Sequence, residues 1–445
     1  LPIFTSYTAQ AASTYKLFPL LAALETGVPA GWQLQTPASG AYQWNYCIPG
    51  ANGKVYNGDA NENYNPGGNL TMREATARSS NTFFVGLADQ LFGCQLQPIM
   101  DVAAKLGMKS LSQPSGEPRT TVAQSIAQYG SATRLTLGDI ATSPLELTSA
   151  YAAIANDGRY NPPSPIKSIT IPRAKPLKDT IIPVPRTAGY QAVTQQVARE
   201  AVNILEGDTV NSGTSAAEFT HWYTTHPVSP IAGKTGTAPG IDLRTHKDDK
   251  NGALWFVGMT PNLVATTALI NLDNPSNPAS GLPGVAHPAV NAFGQYAARV
   301  WITSLAPSLR TQTWTWPDPE QVNGDPVPDI TRLSPADARR QLRQAGFKMS
   351  ILGGTTGLNC ASDVPTGEIA YFGPSIAPRG STITVCPSSG LRQQIFVYHP
   401  PPPPKHSHSP GAGHGSGSSG SSAPPSGGGT RPGHGHGCGH GPGPG

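Results

Sequence analysis

The stretch Ile231-Ala232-Gly233-Lys234-Thr235-Gly236-Thr237 decides how this chain is read. An apolar lead-in followed by polar residues at alternating positions is the pattern of a β-strand with one buried face. Just beyond it, Ala253–Met259 and Leu263–Leu272 are two further β-rich runs, separated by the turn Thr260-Pro261-Asn262. Upstream, the patterns turn helical. Residues 12–25 are rich in Ala and Leu. Residues 71–90 open on a Thr with Glu three positions on, a capping-box spacing. Residues 144–155 place Pro144 in a first turn and stop before Asn156-Asp157-Gly158. Helices flanking an antiparallel sheet predict an α+β layered domain over residues 1–305.

Outward from this domain the composition changes. Residues 306–325 read as a linker, and 326–390 as a small α+β unit whose helix over 335–345 is stopped by Gly346. From about His399 only Pro, Gly, Ser and His remain in quantity, so residues 391–445 are expected to be a disordered tail. Over all 445 residues, hydrophobic residues make up 37% and charged ones 13%, and Gly 50 with Pro 46 supply about a fifth of the chain. The formal charge of +4 lacks the clustering of a nucleic-acid binder. No apolar run approaches the ~20 residues of a helical membrane span, so a channel or transporter is not expected for this stretch. The opening Leu1-Pro2-Ile3-Phe4 carries neither the basic nor the apolar region of a signal peptide, so the chain is expected to be a fragment or processed product.

The cysteines are Cys47, Cys94, Cys360, Cys386 and Cys438. Their distribution fits one disulfide per domain, Cys47–Cys94 and Cys360–Cys386, in an oxidising compartment, with Cys438 left over. Scattered buried thiols are the other reading. There is no CxxC pair to suggest structural zinc. Seven of the 11 histidines lie from His399 onward. Their imidazoles can take up divalent metal adventitiously, with no link to chemistry in the first domain.

Three short motifs occur there in order. Ser13-Thr14-Tyr15-Lys16 puts a hydroxyl and an amine on one helical face. A serine attacks well only when a base takes its proton, and a lysine is that base only when burial or nearby positive charge keeps it neutral. Ser164-Pro165-Ile166-Lys167 repeats the spacing, but beside prolines that forbid a helix, so it reads as coincidence. Ser79-Ser80-Asn81 adds a hydroxyl able to relay a proton and a carboxamide able to donate and accept. Lys234, Thr235 and Thr237 together suit a carboxylate. Gly236 leaves room for a substrate backbone, and the Thr237 N–H can form an oxyanion hole with Ser13.

This ordered set resembles the transpeptidase domain of penicillin-binding proteins, whose fold is shared with β-lactamases. The likeness extends over about residues 1–305, through Thr82-Phe83-Phe84, Ser143-Pro144-Leu145-Glu146 and Trp255-Phe256-Val257-Gly258. Val327-Pro328-Asp329, Ala345-Gly346-Phe347 and Pro378-Arg379-Gly380-Ser381 are similar to a PASTA module, which follows transpeptidase domains in some actinobacterial enzymes. The resemblance implies acyl transfer without any cofactor. Ser13 takes the acyl group from a peptidoglycan stem peptide with release of D-Ala, Lys16 is the base and Ser79 the relay. Asn81 contacts the substrate amide, and Lys234, Thr235, Gly236 and Thr237 form the carboxylate side. β-Lactams would acylate the same serine. The implied partners are stem peptides, β-lactams and, through the PASTA-like module, the cell wall, at the outer face of the membrane. Any membrane anchor or glycosyltransferase domain of a bifunctional class A protein would lie upstream of this chain. D,D-carboxypeptidase, β-lactamase with Glu146 as base, and a silent wall-binding scaffold are the alternatives. Pro19 departs from the family pattern, in which proline directly follows the lysine, and is expected to kink the helix behind Ser13.

Overall fold

The computed structural model describes residues 9–36, 41–43, 55–57, 68–92, 96–109, 136–175, 177–184, 187–242, 247–270, 294–322, 324–352, 360 and 362–390. The expectations for Cys47–Cys94, Cys438 and the tail lie outside these residues.

The predicted helix over residues 12–25 is two structures in series. Ala12–Lys16 is a 3₁₀ turn, and α1 (Leu17–Glu25) begins only after it. The change of helix type absorbs Pro19. The proline falls in the first turn of α1, where its missing N–H has no intrahelical partner to lose. α1 is apolar around nearly its whole circumference and is buried from Leu17 to Leu24.

The predicted run over residues 71–90 also divides, into α2 (Met72–Ala77) and α3 (Asn81–Phe92). Thr71 and Glu74 form the expected reciprocal cap. The break is at Ser79, whose φ of +55° is left-handed and cannot continue a helix. α4 (Gln97–Lys105), α5 (Pro144–Ala155) and α6 (Gln195–Leu205) share one apolar core with α1, whereas α7 (Ala216–Thr225) puts Phe219 and Trp222 into a second core with Phe256 and Trp301. Glu146 is occupied at the start of α5 by a capping box with Ser143.

The sheet is antiparallel, in the order β1 (Ala232–Asp242), β2 (Lys247–Thr260), β3 (Leu263–Ile270). Lys234 pairs with Val257 and Gly236 with Trp255, and β1 is one of the two edge strands of this sheet among the described residues. α8 (Gly294–Leu309) covers the sheet through Trp301, which packs with Phe219 and Phe256. Each such buried aromatic contributes on the order of 1.5–3 kcal/mol of transfer free energy.

α8 runs past residue 305 to Leu309. The extended residues after it are fastened to the domain: Trp314 and Trp316 both donate indole N–H bonds to the Pro230 carbonyl, at 2.7 and 3.1 Å. The second unit has α9 (Pro335–Gln344), capped by Ser334, against the strands β4 (Lys348–Ile351), β5 (Ile369–Gly373) and β6 (Thr382–Pro387), with β6 in the centre. The Cys360–Cys386 disulfide is formed. This unit is docked on the first. Leu352, Ala370 and Cys386 share one apolar core with α1. Gln196 exchanges hydrogen bonds with the side chain and backbone of Ser375 at 2.8 and 3.0 Å. Gly27, at φ +84°, lies so close to the Phe372 carbonyl that a Cβ would sit 1.7 Å from it.

Candidate active site

The three motifs come from three separate elements, and the fold brings them together. The turn carrying Ser13 is held on several sides. The Ala11 and Ala12 N–H groups donate to Ile140 and Gly138 carbonyls at 2.9 Å. The Trp255 indole donates to the Gln10 carbonyl at 2.8 Å, and the Tyr151 hydroxyl to the Thr14 carbonyl at 2.7 Å. Burial, with the Asp208 charge adding to it, raises the Tyr151 pKa well above its usual value, so the phenol keeps the proton it donates. Ala12 is held at φ +49°, a conformation costly for alanine that persists because its surroundings impose it.

The Cβ side of Gly236 faces the turn that carries Ser13. A Cβ there would meet the Ala11 carbonyl oxygen and the Thr14 methyl, both at 3.0 Å. The missing side chain lets the turn that carries Ser13 sit against β1.

Lys16 is fully buried. Its Nζ donates to the Ser79 carbonyl at 2.6 Å and to Asn81 Oδ1 at 2.7 Å, and lies 3.3 Å from Ser79 Oγ. The Phe84 ring lies beneath it, 5.5 Å to the centroid. Burial first, and the charge of Lys234 second, hold its pKa well below the usual lysine value. A neutral amine has two hydrogens and one lone pair. The two short contacts take both hydrogens and leave the lone pair to accept a hydroxyl proton. The Ser13 hydroxyl has no hydrogen-bond partner among the described residues, and Lys16 reaches across to the Ser79–Asn81 turn instead. A nucleophile–base contact that tightens only when substrate binds is ordinary for an unliganded site.

Lys234 is equally buried and pairs with Asp208 Oδ2 at 3.0 Å. Thr235, one residue on, contacts the Thr214 hydroxyl, which in turn donates to Asp208 Oδ2 at 2.6 Å. Thr237 is exposed, and its Oγ1 accepts the Gly294 N–H at 3.0 Å. Ser164 and Lys167 are exposed, outside any helix, and far in character from this enclosed cluster.

Asp208, Thr214 and Tyr151 escape a reading of the motifs. Asp208 lies in Glu206-Gly207-Asp208-Thr209, which reads as a polar surface turn. Only the fold carries it under β1. No group of three or more His, Cys, Asp or Glu placed to hold a metal occurs among the described residues. No described helix is long and apolar enough to cross a membrane.

A family model for the penicillin binding protein transpeptidase domain matches residues 3–291, and one for the PASTA domain matches residues 325–385. The chain is 26% identical to penicillin-binding protein 1A of Mycobacterium tuberculosis over 328 residues, covering 72% of this chain and 35% of that protein. It is 29% identical to penicillin-binding protein 1A of Aquifex aeolicus over 203 residues, covering 44% of this chain and 21% of that protein. The chain thus spans about a third or less of the length of these curated relatives. Among solved structures it is similar to the PonA1 protein of M. tuberculosis in complex with penicillin V, at TM-score 0.49 and 21% identity, covering 72% of this chain and 74% of that one. It is also similar to an imipenem acyl-enzyme complex of penicillin-binding protein A from M. tuberculosis, at TM-score 0.47 and 21% identity, covering 69% and 62%. With a family match over most of the first domain and another over the second unit, the chain belongs to the penicillin-binding protein transpeptidase family and carries a PASTA domain C-terminal to it.

Proposed function

We propose that the chain is the catalytic part of a serine D,D-transpeptidase that cross-links peptidoglycan stem peptides through an acyl-enzyme on Ser13. The observation that carries this reading is the buried Lys16 amine between Ser79 and Asn81, whose pKa is held well below the usual lysine value by burial and by Lys234. In the forward step Lys16 accepts the Ser13 proton as Oγ bonds to the penultimate D-Ala carbonyl carbon. The N–H groups of Ser13 and Thr237 receive the developing oxyanion. Ser79 then passes a proton from Lys16 to the departing D-Ala amine. An amine of a neighbouring stem attacks the ester, the same groups act in reverse, and Ser13 regains its proton. Asn81 orients the substrate amide. The Thr237 hydroxyl takes the terminal carboxylate, with Thr235 and the Lys234 charge behind it.

β-Lactams present a carboxylate and a strained amide in the same relation, so they acylate Ser13 and leave slowly. Glu146 does not suit the role of deacylating base, because both its side chain and its N–H are used in the cap of α5. We place the active domain at the outer face of the membrane, within a class A bifunctional protein, and assign the PASTA domain to cell-wall contact. The test is a D-Ala-D-Ala stem peptide supplied with and without an acceptor amine. Release of D-Ala with formation of the amide cross-link supports the proposal. Release with hydrolysis alone, unaffected by acceptor, makes the chain a carboxypeptidase.

A further inference from the structure

Asp208 lies outside the three motifs, yet its carboxylate is their most heavily used acceptor. The side chain is fully enclosed. Oδ2 accepts from Lys234 Nζ at 3.0 Å and from Thr214 Oγ1 at 2.6 Å, and it lies 3.4 Å from Thr235 Oγ1. Oδ1 accepts from Ser215 Oγ at 2.8 Å. Ser215 also binds the Asp208 carbonyl through both its N–H and its hydroxyl, at 3.0 and 2.9 Å, so the carboxylate is fixed from its own backbone outward.

An ammonium as buried as that of Lys234 would ordinarily lose its proton, because burial penalises the charged form. A carboxylate at 3.0 Å with its remaining lone pairs satisfied reverses that balance. Lys16, buried in the same cluster, has no such counter-ion among the described residues. Its polar partners are the neutral Ser79 and Asn81, and the charge bearing on it is that of Lys234. The other ionisable group facing Asp208 is Tyr151, which stays neutral and donates to the Thr14 carbonyl. One carboxylate thus serves two buried lysines unequally.

We propose that Asp208 is a positioning residue that holds Lys234 charged, and that the Lys234 charge in turn keeps Lys16 free of its proton for acylation. The carboxylate thus favours the neutral base at a distance, against the usual effect of an acid on a nearby amine. The same arrangement holds Lys234 charged behind Thr235 for an anionic substrate carboxylate. The proposal rests on the assignment of Ser13 and Lys16 given above.

The experiment measures acylation by benzylpenicillin and by its methyl ester as a function of pH, in the wild type and in Asp208→Asn. The variant leaves the buried Lys234 side chain without its carboxylate partner. The acid limb of acylation then moves upward by about one pH unit or more. The preference for the free acid over the ester falls on the order of tenfold, through the reversible binding constant and not the acylation rate at high pH. A limb that stays in place or moves down, or a preference for the acid that is kept or grows, overturns the proposal. Where Asp208→Asn alone does not fold, the double variant Asp208→Asn/Lys234→Met removes both partners of the buried pair. It is expected to show the same upward limb and the same loss of acid preference, and an unchanged limb there overturns the proposal equally. A wild type that does not distinguish acid from ester, or shows no acid limb, instead contradicts the assignment of the site itself.

Discussion

A lysine that serves as a base must be without its proton, and at Lys16 burial and the Lys234 charge push the pKa in that direction. With its pKa lowered by burial and by Lys234, the neutral fraction grows as pH rises through that lowered value. Acylation should therefore climb with pH well below the ordinary lysine range and then level off. Lys16→Arg keeps a cation that cannot lose its proton. Stopped-flow acylation of that variant should be slower by about 10²–10⁴-fold and lack the climb. A variant that retains the wild-type rate would show that another group takes the Ser13 proton. Much of this was legible in the residues, because Ser13, Lys16, Ser79, Asn81 and Lys234 bear their chemistry on their faces. Asp208 was not legible. A carboxylate in a Gly-containing turn looks solvated until the fold buries it beneath β1.

At the scale of elements, the informative differences lie where regular structure breaks. Periodicity gave helices over residues 12–25 and 71–90, and the apolar faces are indeed there. It could not show the 3₁₀ turn at Ala12–Lys16 or the left-handed Ser79, because both are imposed by contacts from distant strands and helices. Those breaks carry Ser13, Lys16 and Ser79, the residues proposed to act in acylation. The same holds for Gly236, whose spacing said only that a side chain was unwanted. The structure assigns the reason to the Ala11 carbonyl and Thr14 at 3.0 Å. Gly236→Ala must push the nucleophile turn off β1. Overpacking of this kind costs roughly 1–3 kcal/mol. Thermal melting should fall accordingly, and the protein that remains folded should acylate more slowly than wild type. Unchanged melting together with unchanged acylation would mean that the turn has slack that these distances do not show.

At the scale of the whole molecule, the PASTA domain is a packed part of the structure. It rests against the end of α1 at Gly27, against the Leu91 carbonyl through Cys360 at 3.7 Å, and against α6 through Gln196. Ending the chain at Val322 strips these surfaces and should lower the melting temperature. Gly27→Ala should destabilise the full chain strongly, through both its φ and the Phe372 carbonyl, and the truncated chain through φ alone. Equal losses in the two backgrounds would mean that the docking contributes no stability. Removing only residues 399–445 should leave acylation unchanged. The compositional shift beyond residue 305 marked a second unit, but its docking could not be read from composition, since it runs through a few scattered residues: Gln196, Leu352, Ala370, Cys386 and the close approach of Gly27 to the Phe372 carbonyl. The central claim is that one serine of this chain, Ser13, takes the acyl group. Mass spectrometry of peptides from the intact protein after benzylpenicillin treatment tests it most directly. The penicilloyl adduct is expected on the peptide that contains Ser13 and nowhere else; an adduct on the peptide containing Ser164, or none at all, would contradict the account.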